Sequence, residues 1–280
     1  MTTTPVVIVT GASRGLGADV ARSLAKAGAA VTLVARSREK LMAVAADVRR
    51  LGGIPHTFKA DVSDARACRS AVETTLDHFG RIDSLVNNAG VVQPLAPIAD
   101  THPADWRRNI EVNLFGPFYL VRAAILELRK RNGRIVNVSS GAATMALETV
   151  SAYCTGKAAL NHFTRVLAAE EPDVTALTVR PGVVDTDMQA VLRNEAGNAM
   201  PVEQVAYYRQ LKERGELEPP EVPARAVAWL ALYAPPSSAV SSWIMMTRKS
   251  AGRPPNFSGP ALDSHHLKST RYCYPANLTT

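Results

Sequence analysis

A buried strand that runs straight into a glycine turn and then a helix constrains this chain more than any other segment. Val6-Val7-Ile8-Val9 is a run of β-branched residues with no polar alternation. Such a run reads as a parallel strand covered on both faces. It leads into Thr10-Gly11-Ala12-Ser13-Arg14-Gly15-Leu16-Gly17. Leu16, Val20, Ala21 and Leu24 then recur at helical spacing until Gly28 stops the helix. Strand, glycine turn and helix is the context that a dinucleotide phosphate loop requires. Gly11 permits the tight turn, Gly15 lets a pyrophosphate approach the backbone, and Gly17 lets helix and strand pack closely. The helix N-terminus offers unpaired N–H groups and a partial positive charge to phosphates. The spacing is G-x-x-x-G-x-G, not the commoner G-x-G-x-x-G.

The rest of the chain continues the alternation. Strands are expected at 6–10, 31–35, 55–59, 83–87, 134–138 and 174–179. Helices are expected between them at 15–27, 38–51, 64–79, 103–130 (broken near Asn113) and 152–169. This order predicts one α/β domain, a Rossmann-type doubly wound parallel sheet with helices on both faces. A chain of 280 residues that is 46% hydrophobic can bury such a core. A ligand crevice belongs beyond the carboxyl ends of the strands. Gly11, Asp61, Asn87, Ser140 and Pro181 all fall just past expected strand ends.

A second constellation lies in Tyr153-Cys154-Thr155-Gly156-Lys157. On a helix Tyr153 and Lys157 share a face. A free phenol has a pKa of about 10, and a cation one turn away favours its phenolate. A tyrosine so tuned can give a proton to a carbonyl oxygen or take one from an alcohol. The end of the second strand bears on the ligand. Val31 to Ala35 finishes without the carboxylate that would hold the ribose hydroxyls of NAD. Ala35 stands there and Arg36 follows, with Arg14 in reach from the glycine loop. Two guanidinium groups at one spot suit a phosphate monoester. Arg38 is either a third contributor or a surface residue of the next helix.

Other classes of protein fit poorly. No run of 18 uncharged apolar residues exists, so no membrane partner is expected. The net charge of +7 is scattered, with residues 241–280 contributing +4, and no nucleic-acid motif accompanies it. Cys68, Cys154 and Cys273 lack metal-ligand spacing, and no metal is expected. The first strand leaves no room for a signal peptide, so a reducing, cytoplasmic location is expected.

Taken in order, Gly11, Gly15 and Gly17, Asp61-Val62, Asn87-Asn88-Ala89-Gly90, Asn113, Ser139-Ser140, Tyr153 with Lys157, Pro181-Gly182 and Thr186 resemble the short-chain dehydrogenase/reductase family over residues 5–235. The resemblance implies NADP(H) as cofactor, given Arg14 and Arg36, and a small-molecule carbonyl substrate. It implies Tyr153 as acid/base. Lys157 lowers its pKa and binds the nicotinamide ribose. Ser140, thirteen residues before Tyr153, polarises the carbonyl, and Asn113 holds a water linking Lys157 to solvent. Cofactor contacts are further implied for Ser13, Leu16, Val62, Asn87, Ala89, Gly90, Pro181, Gly182, Val184 and Thr186, the last at the carboxamide. Asp61 would accept from the adenine amino group, with a structural turn as the competing role. A satisfied buried amide is the alternative for Asn113. Family members commonly form homodimers or homotetramers, here through helices at about 112–130 and 152–169.

Three stretches narrow the likeness: Tyr153 to Ala159, Ala168 to Pro172, and Val184 to Gln189. They resemble sepiapterin reductases and the related benzil (1,2-diketone) reductases. Met188 then opens a substrate lid at about 187–215, to which Met200, Tyr207 and Tyr208 would add apolar lining or helix packing. The catalytic domain is expected to span 1–240, followed by an irregular or disordered basic tail at 241–280. Ser237 to Met246 contains no acidic residue, whereas sepiapterin reductases hold the pterin with an aspartate from their last strand. That absence favours a small ketone or vicinal dicarbonyl over a pterin. A nucleotide-binding module without turnover is the alternative from another class.

Overall fold

The computed structural model describes residues 4–197 and 199–235. The expected tail at 241–280 and the stretch Ser237 to Met246 lie outside the described residues. Six parallel strands form one sheet: β1 (Val6–Thr10), β2 (Ala30–Ala35), β3 (Ile54–Lys59), β4 (Ser84–Asn87), β5 (Arg134–Val138) and β6 (Thr175–Val179). They lie in the order β3-β2-β1-β4-β5-β6. The chain therefore winds outward twice from the centre, and the order reverses between β1 and β4. Loops leaving those two strands diverge and open a crevice at their carboxyl ends.

Helices cover both faces, so strand residues alternate between two cores. Val7 and Val9 of β1 pack with α1 (Gly15–Lys26), α2 (Arg38–Arg50) and α9 (Glu221–Tyr233). Ile8 between them packs with α3 (Ala65–Phe79) and α5 (Gly116–Arg129). Every residue of β1 is buried, which is why its sequence shows no alternation. The edge strand β3 is only partly covered and carries Pro55, tolerable where one side needs no ladder donor. Local signals set the helix ends. Asp64 accepts hydrogen bonds from Arg66 N and Ala67 N at the start of α3, and Gly80 closes it at φ +72°.

The long helix expected at 103–130 is broken as anticipated. It resolves into α4 (Pro103–Ile110), a π-helical turn at Glu111–Phe115, and α5. Helix α6 (Ser151–Glu170) carries Tyr153 and Lys157. The lid segment forms α7 (Asp187–Asn194) and α8 (Val202–Glu213). It has its own small core, where Leu192, Met200, Val205 and Leu211 pack on Val92 and Val150. Met200 is buried there and does not line the cavity; Tyr208 belongs to the same core and also reaches the cavity.

Candidate active site

A cavity of about 770 Å³ runs along the carboxyl ends of the strands, from the glycine turn to the lid. That size is typical of cofactor and small-molecule sites. At one end lies the turn after β1. Gly11 has φ +65° and Gly15 φ +52°. A methyl at Gly11 would sit 2.8 Å from Asn88 Nδ2, and one at Gly17 would overlap Asn88 and the Gly11 carbonyl. The turn can therefore be built only from glycine at these points. Ser13, Gly15, Leu16 and Gly17 line the cavity. Helix α1 has no capping side chain and no acidic residue in its first turn. Its free N–H groups make an anion site.

Beyond the turn the cavity is basic. Ala35, Arg36 and Lys40 line it at the end of β2, and Ser37 caps α2 by accepting from Lys40 N. Arg36 makes no hydrogen bond or ion pair with any described residue. Arg14, the second expected cation, lines the same cavity with its guanidinium paired. Its Nη1 lies 2.5 Å from Asp187 Oδ2 at the start of the lid, and both side chains are more than half exposed.

Asp61 and Val62 line the cavity after β3. Asp61 Oδ1 accepts from Ser63 N at 3.0 Å and Ser63 Oγ at 2.9 Å, while Oδ2 accepts from Arg108. Arg108 also donates to Ser63 and lines the cavity. These bonds hold Asp61's carboxyl below its usual range against the opposing effect of burial. The Asp61–Val62 turn is thus clamped from α4.

After β4 the expected asparagine and its neighbour exchange places. Asn87 is buried behind the cavity and donates to Asn137 Oδ1 at 2.8 Å, tying β4 to β5. Asn88, Ala89 and Gly90 line the cavity instead. Asn88 Nδ2 donates to Thr10 O at 2.9 Å, and Thr10 Oγ1 accepts from Asn88 N and Ala89 N. The loop after β4 is thereby stitched to the glycine turn.

Ser140, Tyr153 and Lys157 converge midway along the cavity. Ser140 follows β5 and its Oγ accepts from Ala142 N at 3.2 Å. It also hydrogen-bonds the Tyr153 phenol. Lys157 is buried, its Nζ donating to Val138 O at 2.8 Å and lying 5.7 Å from the Tyr153 ring centre. Burial lowers the Lys157 ammonium to about 8. Burial also raises the Tyr153 phenol, and the Ser140 bond opposes this only in part. The direction is opposite to the one the neighbouring lysine alone would give. Its cause is desolvation of both groups, with the ammonium directed at a backbone carbonyl. The phenol accordingly stays protonated at neutral pH.

Asn113 sits in the π-helical turn, fully buried and not on the cavity wall. Its Nδ2 donates to Val91 O at 2.8 Å and Asn109 Oδ1 at 2.8 Å. A methyl on Gly90 would sit 2.8 Å from Asn113 Oδ1 and 3.6 Å from Lys157 Nζ. The amide is therefore one glycine away from the ammonium. Pro181, Gly182, Val184 and Thr186 line the cavity after β6, with Gly182 at φ +82°. Met188, Tyr207 and Tyr208 close the lid side, opposite Met145, Leu147 and Val150. Arg180, Lys40 and Arg108 are cavity residues that motif reading missed. Among the described residues no cluster of metal-ligating side chains occurs, and no helix is long and apolar enough to cross a membrane.

A glycine turn at a sheet switch point, followed by a Ser-Tyr-Lys cluster, defines a nucleotide-dependent oxidoreductase site. Comparison with known proteins agrees. Residues 5–197 match the short chain dehydrogenase family model, and the chain belongs to that family, whose members use nicotinamide cofactors. An uncharacterized oxidoreductase of Schizosaccharomyces pombe is 39% identical over 228 residues, covering 81% of this chain and 90% of that one. A benzil reductase ((S)-benzoin forming) of Saccharomyces cerevisiae is 35% identical over 246 residues, covering 83% and 92%. The crystal structure of a short chain dehydrogenase/reductase from Saccharomyces cerevisiae superposes with TM-score 0.81 at 36% identity, covering 86% and 95%.

Proposed function

We propose that this oxidoreductase is an NADPH-dependent carbonyl reductase acting on a small ketone or vicinal dicarbonyl. The observation that carries the reading is the Ser140–Tyr153–Lys157 cluster inside one cavity with the glycine turn. The residues fit a dinucleotide. Gly11 and Gly17 let Asn88 and the turn pack tightly, Gly15 brings bare backbone to the cavity wall for a pyrophosphate, and Ala35 with Arg36 offers a cation where NAD-binding relatives of this fold carry a carboxylate. Bound reduced cofactor supplies hydride to the carbonyl carbon.

The chain's own groups do the rest. Ser140 orients the carbonyl oxygen through its hydroxyl. Tyr153, protonated at neutral pH, donates its proton to that oxygen as negative charge develops. The Lys157 ammonium stabilises that charge, and Asn113, its amide satisfied by Val91 and Asn109, braces the loop at Gly90 beside it. Thr186 and Val184 hold the carboxamide end, and Asp61 with Val62 the adenine end. The catalytic domain spans 1–240, with 187–215 as lid. The benzil reductase relative supports the dicarbonyl class.

Two further assignments accompany this. Phe115, Phe118 and Leu126 on and beside α5, with Val166 on α6, are exposed apolar residues suited to a homodimer or homotetramer. Cys68 and Cys154 are free thiols, which suits a reducing cytoplasm. The test is incubation of the purified protein with NADPH and benzil or diacetyl, following the absorbance of the reduced cofactor. Oxidation of NADPH is expected. No oxidation with a panel of dicarbonyls and pterins would favour a binding module without turnover.

A further inference from the structure

We infer that the substrate carries a carboxylate next to its reacting carbonyl, and that Arg180 binds it. Arg180 stands at the carboxyl end of β6, immediately before Pro181, and lines the cavity on its substrate side. Its guanidinium reaches across to the loop after β5. A methyl on Gly141 would come within 3.0 Å of Arg180 Nη2 and 3.2 Å of Met145 Cε. Gly141 directly follows Ser140, so the cation lies beside the hydroxyl assigned to the reacting carbonyl oxygen. Any larger residue at 141 would push the guanidinium away.

Arg180 is unpaired among the described residues. It makes no hydrogen bond or ion pair with any described residue, whereas Arg14, Arg22, Arg81, Arg108 and Arg129 each pair with a carboxylate. It is partly buried, and burial alone acts on its guanidinium, with no neighbouring charge to offset it. A partly desolvated, unpaired cation in the wall of a ligand cavity is costly unless the ligand supplies the acceptors. Five N–H donors in a planar fork match the two oxygens of a carboxylate. Met145, Leu147, Val150 and Met188 add apolar wall beside it, with Gln189, Tyr207 and Tyr208 as the polar members of the lid side. The site therefore suits a 2-oxo acid with an aryl or alkyl side chain: carbonyl on Ser140 and Tyr153, carboxylate on Arg180, hydrocarbon against the methionines. Assigning the carbonyl to Ser140 and Tyr153 rests on the reductase reading above; the placement of Arg180 does not.

The experiment is calorimetric titration of the full-length protein with NADP⁺ present, using benzoylformate against neutral 1-phenylpropane-1,2-dione. No hydride is available, so binding is read whether or not the protein turns over. The acid should bind at least tenfold more tightly. Arg180→Leu should erase that advantage, and Arg180→Lys should keep part of it, because the charge remains while the fork is lost. Should Arg180→Leu fail to fold, the lysine variant decides, by losing affinity for the acid more than for the dione. Equal affinities in the wild type, no measurable binding of the acid, or equal loss of both ligands in the variants overturns the inference. Selective binding of the acid by a protein that never oxidises NADPH would sink the reductase reading and uphold Arg180 as a carboxylate-binding residue.

Discussion

Replacing Arg36 by Asp should move cofactor preference from NADPH towards NADH. Arg36 is exposed at the end of β2 and pairs with no described residue, so its whole interaction is available to a 2′-phosphate. A charge-assisted pair with a phosphate monoester contributes about 1.5–3 kcal/mol, and solvent exposure holds it near the lower bound. A carboxylate facing the phosphate adds about 1 kcal/mol of repulsion at contact distance in a watery site. The sum, about 2–3 kcal/mol, is roughly a 30- to 150-fold fall in the ratio of kcat/KM for NADPH to that for NADH. Arg14→Ala should shift the ratio less. Arg14 must first leave Asp187, an exposed pair contributing about 0–1 kcal/mol. Asp187→Asn removes that competitor and should tighten NADPH binding by up to about fivefold. The assay is steady-state oxidation of each cofactor at low salt. An Arg36→Asp protein with an unchanged ratio would refute the phosphate-site argument.

Three other outcomes are expected. Burial lowers Lys157 to about 8, so its ammonium is present below that pH and lost above it; the reductive kcat/KM should fall as pH rises through about 8. A profile that climbs through the same range contradicts the role of the charge. Gly17→Ala should lower stability by about 1–3 kcal/mol and weaken NADPH binding, because its methyl meets the Gly11 backbone, which cannot yield cheaply. A thermal melt and a cofactor titration matching wild type would count against the tight-turn account. Phe118→Glu should convert a dimer or tetramer to monomer in sedimentation, Phe118 being exposed on α5; a wild type already monomeric would dismiss that interface.

The sheet was legible because burial on both faces removes alternation. β1 reads as an uninterrupted apolar run, and Gly28, Gly52 and Gly80, all at positive φ, mark where α1, α2 and α3 stop. The break near Asn113 was visible as an asparagine in mid-helix, and its cause is now clear: the amide bonds to Val91 O and Asn109 instead of facing solvent. Helix α9 was not read, since Pro219, Pro220 and Pro223 look like breakers. They fall before or within its first turn, where proline is tolerated. Cations were the least legible part. Arg108 meets Asp61 across 47 residues, and Arg180 gains its importance from having no partner among the described residues. Neither fact has a local signature. The sign of the Tyr153 shift was equally hidden, because a sequence displays the neighbouring lysine but not the loss of water around both groups.

The central claim is that the Tyr153 phenol delivers the proton. The direct measurement is NADPH oxidation by Tyr153→Phe, with NADPH affinity followed in parallel by cofactor fluorescence. Turnover should drop by about 10²–10⁴-fold while NADPH still binds within a few-fold of wild type. A phenylalanine protein that reduces the same carbonyl at near wild-type speed would contradict the mechanism.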